Sequence, residues 1–273
     1  QRISLANENV GTWSTTSPGQ LRLSPDESRL QRTCLEPADG AGQACVSAWR
    51  DTGTTSVDII IRALPLAALP IAMPSGITLD GLINASLRGA LTAEDLTAEA
   101  GMTLEDASIN ALHEGENVSL RLQTATAKAS FVNGRLESSA DVELADSAGG
   151  ANARLAVAED GPDGYPVDGR ADIRINDASV FAVFAPGIND PRGRIEGGLT
   201  VAGVADAPEF VGEIAILDGA FSVRQTGIEV TDLDLRIAQS QPGQMQLTGS
   251  ARSGDGDIAI DGITRVSQET GVR

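Results

Sequence analysis

The sequence predicts an all-β protein: one long, curled sheet of mainly short strands, accompanied by two short helices. Three observations predict it. From Gly193 to Gly262, apolar residues alternate with polar or small ones, as in Arg194-Ile195-Glu196-Gly197-Gly198-Leu199-Thr200-Val201 and Asp257-Ile258-Ala259-Ile260-Asp261. Gly, Asp, Pro or Gln punctuates the joins between such runs, which is the pattern of half-buried strands linked by turns. Long crossover helices have no sequence signal, so consecutive strands are expected to pair antiparallel.

Taken in order, residues 1–62 hold short strands at Ile3 to Leu5, Val10 to Thr15, Gln20 to Leu23, Arg29 to Leu35, Gln43 to Arg50 and Ser56 to Ile61. Cys34 and Cys45 flank the turn sequence Glu36-Pro37-Ala38-Asp39-Gly40-Ala41-Gly42. A hairpin there brings the two sulfurs together, so a disulfide and an oxidising compartment are expected. The only histidine, His113, is far away in sequence, which disfavours a metal site, and none is expected. The apolar run Ala63 to Met73 contains Pro65 and Pro70 and is closed by Pro74. It is too short to span a bilayer and reads as a short helix on the end of a sheet.

A second series of strands follows at Ile77 to Arg88, Leu96 to Leu104, Ser108 to Leu112, Val118 to Leu122, Ala125 to Val132, Leu136 to Leu144, Ala151 to Val157 and Gly169 to Ile175. Asp177 can cap a second short apolar helix over Ala178 to Phe184, which Pro186 ends. The alternating stretch from Gly193 completes the chain. Leu79, Gly81, Ile83 and Ala85 recur about 116 positions later as Ile195, Gly197, Leu199 and Val201. Each copy follows a helix ending in proline, so the chain divides into a β-segment over 1–62 and two helix-plus-strands repeats over 63–176 and 177–273. The three parts are expected to form one continuous β-structure. The chain starts at Gln1 and stops at Arg273 in mid-pattern, and reads as a piece of something longer.

Composition limits the function. Apolar residues make up 41%, enough for a buried face, but aromatic residues only 3%, so that face is built from Leu, Ile, Val and Ala. The net charge of −18 disfavours nucleic acid and anionic membrane surfaces, both of which attract Lys/Arg clusters. No Gly-x-Ser-x-Gly, phosphate loop or histidine pair is present, so no enzyme activity and no cofactor is expected. Gly254-Asp255-Gly256-Asp257 resembles a single calcium-binding repeat, but such sites need tandem copies, and a turn is expected. Roughly eighteen strands about 4.8 Å apart would extend roughly 85 Å. A flat sheet that long exposes too much apolar surface, leaving a closed β-solenoid or a folded-over sheet with an open groove.

The cysteine hairpin followed by Trp49 and Leu64-Pro65-Leu66, the repeated unit, and the phrase Gly212-Glu213-Ile214-Ala215-Ile216-Leu217-Asp218-Gly219 together resemble the TamB family, within the AsmA-like group of envelope proteins. The resemblance runs over essentially the whole chain and implies a middle-to-late slice of such a protein. It implies a taco-like β-sheet with a hydrophobic concave groove, and a periplasmic location in a diderm bacterium. The full-length protein would be anchored in the inner membrane. It also implies a role in carrying phospholipid between the membranes or aiding outer-membrane protein assembly, with a TamA-type outer-membrane barrel contacted outside this slice.

An acyl chain needs a continuous, dry aliphatic surface, worth about 0.8 kcal/mol per buried methylene. The expected lining is Leu79, Ile83, Leu87, Leu104, Leu120, Leu122, Val142, Leu144, Leu155, Ile173, Ile175, Ile195, Leu199, Val201, Ile214, Ile216, Leu233, Leu235, Ile237, Leu247, Ile258 and Ile260. Two other readings stand beside it. One is a closed β-solenoid of structural or adhesin type; the other is an assembly chaperone that offers strand edges by β-augmentation.

Overall fold

The computed structural model describes residues 4–7, 11–16, 18–38, 41–69, 76–113, 116–159, 164–183, 187–241 and 244–265. They form a single sheet of seventeen strands. These are β1 (Ser4–Asn7), β2 (Gly11–Thr15), β3 (Leu21–Leu23), β4 (Ser28–Pro37), β5 (Gln43–Arg50), β6 (Thr54–Pro65), β7 (Ile77–Thr92), β8 (Leu96–His113) and β9 (Glu116–Val132). The series continues with β10 (Arg135–Leu144), β11 (Gly149–Val157), β12 (Val167–Ile175), β13 (Ile188–Val204), β14 (Ala207–Val223), β15 (Ile228–Gln241), β16 (Gln244–Ser253) and β17 (Gly256–Arg265). From β4 to β17 every strand pairs antiparallel with the next. At the other end, β2 and β3 share one edge of β4, pairing with its two halves.

Several strands are longer than the alternation suggests. Leu96 to Leu104 and Ser108 to Leu112 are two halves of one 18-residue strand, β8, and β9, β13 and β14 each run 17 residues. The halves are joined by bulges, where an extra residue shifts the alternation by one place and bends the strand. The bulges are aligned. Register shifts occur at Ile61/Leu64, Asp80/Leu82, Glu143/Leu144, Asn189/Arg194, Ile216/Phe221 and Thr231/Asp234, on β6, β7, β10, β13, β14 and β15. Left-handed backbone marks the same line, at Ala63, Gly81, Asp106, Gly193, Asp218 and Asp232. Asp is tolerated there because its short polar side chain can bond locally. Bulges stacked across neighbouring strands make a crease, and the sheet folds along it.

One face closes over the crease. Leu64, Ala107, Ala125, Leu144, Ile175, Leu233 and Ala251 are buried beside it. Away from the crease the same face is open. Among the described residues no large side chain falls below 2% exposure, and the accessible surface is 17977 Å². A compact monomer of this mass would expose about 11,000 Å². The sheet is therefore a curled, open one, and the closed solenoid with a filled core is excluded.

The helical segments are 3₁₀ turns. β6 runs on through Ala63, Leu64 and Pro65, and only Leu66–Ala68 is helical; residues 70–74 of the predicted helix lie outside the described residues. The second segment is Ala178–Val183, with Asp177 Oδ1 accepting the Ser179 N–H at 2.9 Å; Phe184 and Pro186 lie outside the described residues. A third 3₁₀ turn, Ala145–Ser147, had no sequence signal. The Ala178–Val183 turn packs on β13 and also touches β8 and β9. It sits where β10 to β12 stop at the crease and have no arm beyond it.

Cys34 and Cys45 face each other across β4 and β5 and are joined by a disulfide. Gly254 and Asp255 form the turn between β16 and β17, as the lone calcium-like phrase suggests. Asn84 Oδ1 accepts the Ala63 N–H at 2.9 Å, so this side chain is engaged at the crease.

Candidate functional site

Residues directly opposite each other in a sheet share a face, so the register can be followed sideways as rows. One row runs Leu35, Ala44, Ile61, Ala85, Met102, Ala127, Ala140, Ala153, Ala171, Leu199, Gly212 from β4 to β14. A second, nearer the crease, runs Leu64, Ile83, Leu104, Ala125, Val142, Ala151, Ile173, Gly197, Ile214, Ile237, Leu247, Gly262 from β6 to β17. A third, towards the strand tips, carries Leu87, Ala100, Ala129, Ser138, Leu155, Gly169, Val201 and Phe210. Along the crease itself come Ile175, Ile195, Ile216, Leu235, Gly249 and Ile260. None of these rows contains a charge.

Every residue expected in the lining falls on this face. Those not yet placed lie at or beyond the crease: Leu79 stands beside Ile109 and Leu120, Leu144 opposite Leu122, Leu233 opposite Gly219, and Ile258 opposite Ala251. What reasoning by size missed is the floor between them. Ala127, Ala140, Ala153 and Ala171 are consecutive across four strands, and Gly197 and Gly212 continue the small side chains. The result is a trough with two adjoining recesses, of ≈ 620 Å³ and ≈ 450 Å³, which share Ala140, Ala153, Ala171 and Leu199. Its exposed large side chains include Leu87, Met102, Leu155, Leu199, Phe210 and Ile214. A surface this continuous and apolar, left open to solvent, is the mark of a binding site rather than of a core.

The opposite face is polar. One of its rows reads Glu143, Gly150, Arg174, Glu196, Ala215, Arg236, Thr248, Asp261. Ion pairs lace it: Arg170 with Asp172 at 2.7 Å, Arg194 with Asp218 at 2.6 Å, Arg88 with Asp58 at 3.0 Å. The hydrogen bond from Arg170 holds the Asp172 carboxyl below its ordinary value. These exposed pairs contribute little to stability each; they keep this face wetted. Among the described residues no group of three or more His, Cys, Asp or Glu is placed to hold a metal ion. No helix among them is long and apolar enough to cross a membrane.

The family model described as TamB, N-terminal domain, matches residues 1–216. It is the N-terminal domain that matches, where the sequence reading implies a middle-to-late slice. No curated protein and no solved structure matches the chain. With most of its length covered by that model, and with the open apolar trough the resemblance implies, the chain belongs to the TamB family of envelope proteins.

Proposed function

We propose that this chain is a periplasmic part of its envelope protein and that its trough carries the acyl chains of phospholipids between the inner and outer membranes. The observation that carries the reading is the unbroken, uncharged set of rows from β6 to β17, open to solvent away from the crease. A lipid moving along it exchanges one aliphatic contact for another and meets no group that would hold a headgroup fast. Burial at about 0.8 kcal/mol per methylene makes the track favourable along its whole length, and its uniformity keeps the barrier between neighbouring positions low. The disulfide suits an oxidising compartment. In this reading the full-length protein is tethered to the inner membrane, delivers to or works beside a TamA-type outer-membrane barrel, and performs no covalent chemistry.

The test uses two neighbouring residues with opposite orientation. Leu199 lies in the four-alanine row and Thr200 on the polar face opposite Arg170 and Val211. A photo-crosslinking residue is placed at each in turn, in the full-length protein in cells, and phospholipid adducts are read by mass spectrometry. Adducts from position 199 and none from 200 are expected. Adducts from neither, or equally from both, overturn the reading and favour a role in assembling proteins by strand addition.

A further inference from the structure

A further recess, of ≈ 870 Å³, lies on the outward face, away from the trough, across β4 to β9. Trp49 lines it, is 36% exposed and stands directly opposite Arg29 on β4 and Ser56 on β6. Arg29 in turn stands directly opposite Arg22 on β3. Two like charges facing each other across strands are destabilising. Arg29 and Arg32 both line the recess, and Arg22 flanks it across from Arg29. Arg22, Arg29 and Arg32 have no carboxylate within ion-pair distance among the described residues, unlike Arg88 and Arg170, and all three side chains are exposed. In a chain of net charge −18, cations left unneutralised around an exposed tryptophan are a local reversal of the surface.

We propose that this recess docks an acidic segment of a partner protein, its carboxylates over Arg22, Arg29 and Arg32 and one large apolar side chain against Trp49. Tryptophan and arginine are the residue types that most often anchor protein interfaces. Six strands about 4.8 Å apart give a recess roughly 24 Å long, the length of about seven extended residues. Its concavity fits a chain segment and not a planar bilayer surface. Charge complementarity fixes the direction of the segment: Asp58 is neutralised by Arg88 and Glu99 lies at the far end, so the positive pole is at β3 and β4.

The probe is a fluorescein-labelled dodecapeptide of glutamate and serine with one central phenylalanine, and a counterpart in which glutamine replaces every glutamate. Anisotropy on the purified protein is expected to show salt-sensitive binding of the acidic peptide, weaker by about tenfold or more for the glutamine peptide, for Trp49→Ala and for Arg29→Glu. Arg29→Glu gives a second readout. It creates an opposite-charge pair with Arg22, so its urea midpoint rises while binding falls. Equal binding of both peptides, indifference to either substitution, or a lowered midpoint for Arg29→Glu overturns the proposal. So does binding of phosphatidylglycerol vesicles without binding of the peptide, which reassigns the patch to a membrane. Because Arg29→Glu leaves the trough untouched, lipid crosslinking at position 199 persists in it, and this result is separable from the fate of the acyl-chain reading.

Discussion

Ala140 and Ser139 are adjacent in sequence and point to opposite faces of β10, which makes them a controlled pair. Ala140 sits in the floor of the trough between Ala127 and Ala153; Ser139 sits outside between Lys128 and Arg154. Ala140→Asp puts a carboxylate under any acyl chain that crosses β10. A charged side chain in a lipid environment costs about 2.5–3.5 kcal/mol, roughly two orders of magnitude in occupancy. The trough is open, so the empty protein keeps the new carboxylate hydrated and folds as before. Ser139→Asp adds the same charge between two cations and is expected to be neutral or stabilising by about 0.2–1 kcal/mol. The assay is co-purified phospholipid per protein, by mass spectrometry after gentle extraction, with urea unfolding to confirm that both variants fold. Loss of lipid in Ala140→Asp with retention in Ser139→Asp is the expected result. Equal lipid in the two variants refutes the argument, because a track that tolerates a charge in its floor is not an acyl-chain track.

Two stability predictions follow from the frame around the trough. Gly149 has φ +135°, and a Cβ there would lie 2.6 Å from the Ile175 Cα; Gly149→Ala is expected to destabilise by about 2–4 kcal/mol through strain and overpacking, and a urea midpoint within error of wild type would refute it. The disulfide closes a short loop, with a sequence separation of 11, so Cys34→Ser with Cys45→Ser is expected to cost about 3 kcal/mol in the chain-entropy account. Reductant should lower the wild-type urea midpoint to that of the double variant and leave the variant unchanged.

The sequence made the two faces legible because period-two alternation survives wherever one side of a strand is apolar. It hid the strand lengths, because a bulge shifts the alternation and a shifted strand reads as two short ones. The signal was present: Asp80-Gly81, Asp106, Asp218-Gly219 and Asp232 each stand where the alternation skips a residue. An acidic residue or glycine at a phase slip would have marked the crease strand by strand. The floor was missed for a different reason. Ala127, Ala140, Ala153 and Ala171 look unremarkable one at a time, and only register lines them up across β9 to β12. The same holds for Arg22, Arg29 and Trp49, which belong to three strands. Large aliphatic residues announce a lining by composition, whereas small ones and cross-strand neighbours need the pairing.

An open apolar face of this extent carries an aggregation hazard, and the fold contains two devices against it. The crease makes the face concave, so the trough faces of two copies cannot lie flat on one another. The chain's net charge of −18 repels other copies over about a Debye length, roughly 8 Å at physiological salt. The two devices serve different ranges: charge keeps copies apart in solution, and curvature rejects whatever reaches contact with the wrong shape. Flattening the sheet would defeat the second without touching the first. The left-handed Asp and Gly positions along the crease therefore shape the apolar face as much as the aliphatic rows do. A sheet with the same rows and no crease would offer its apolar face to other copies.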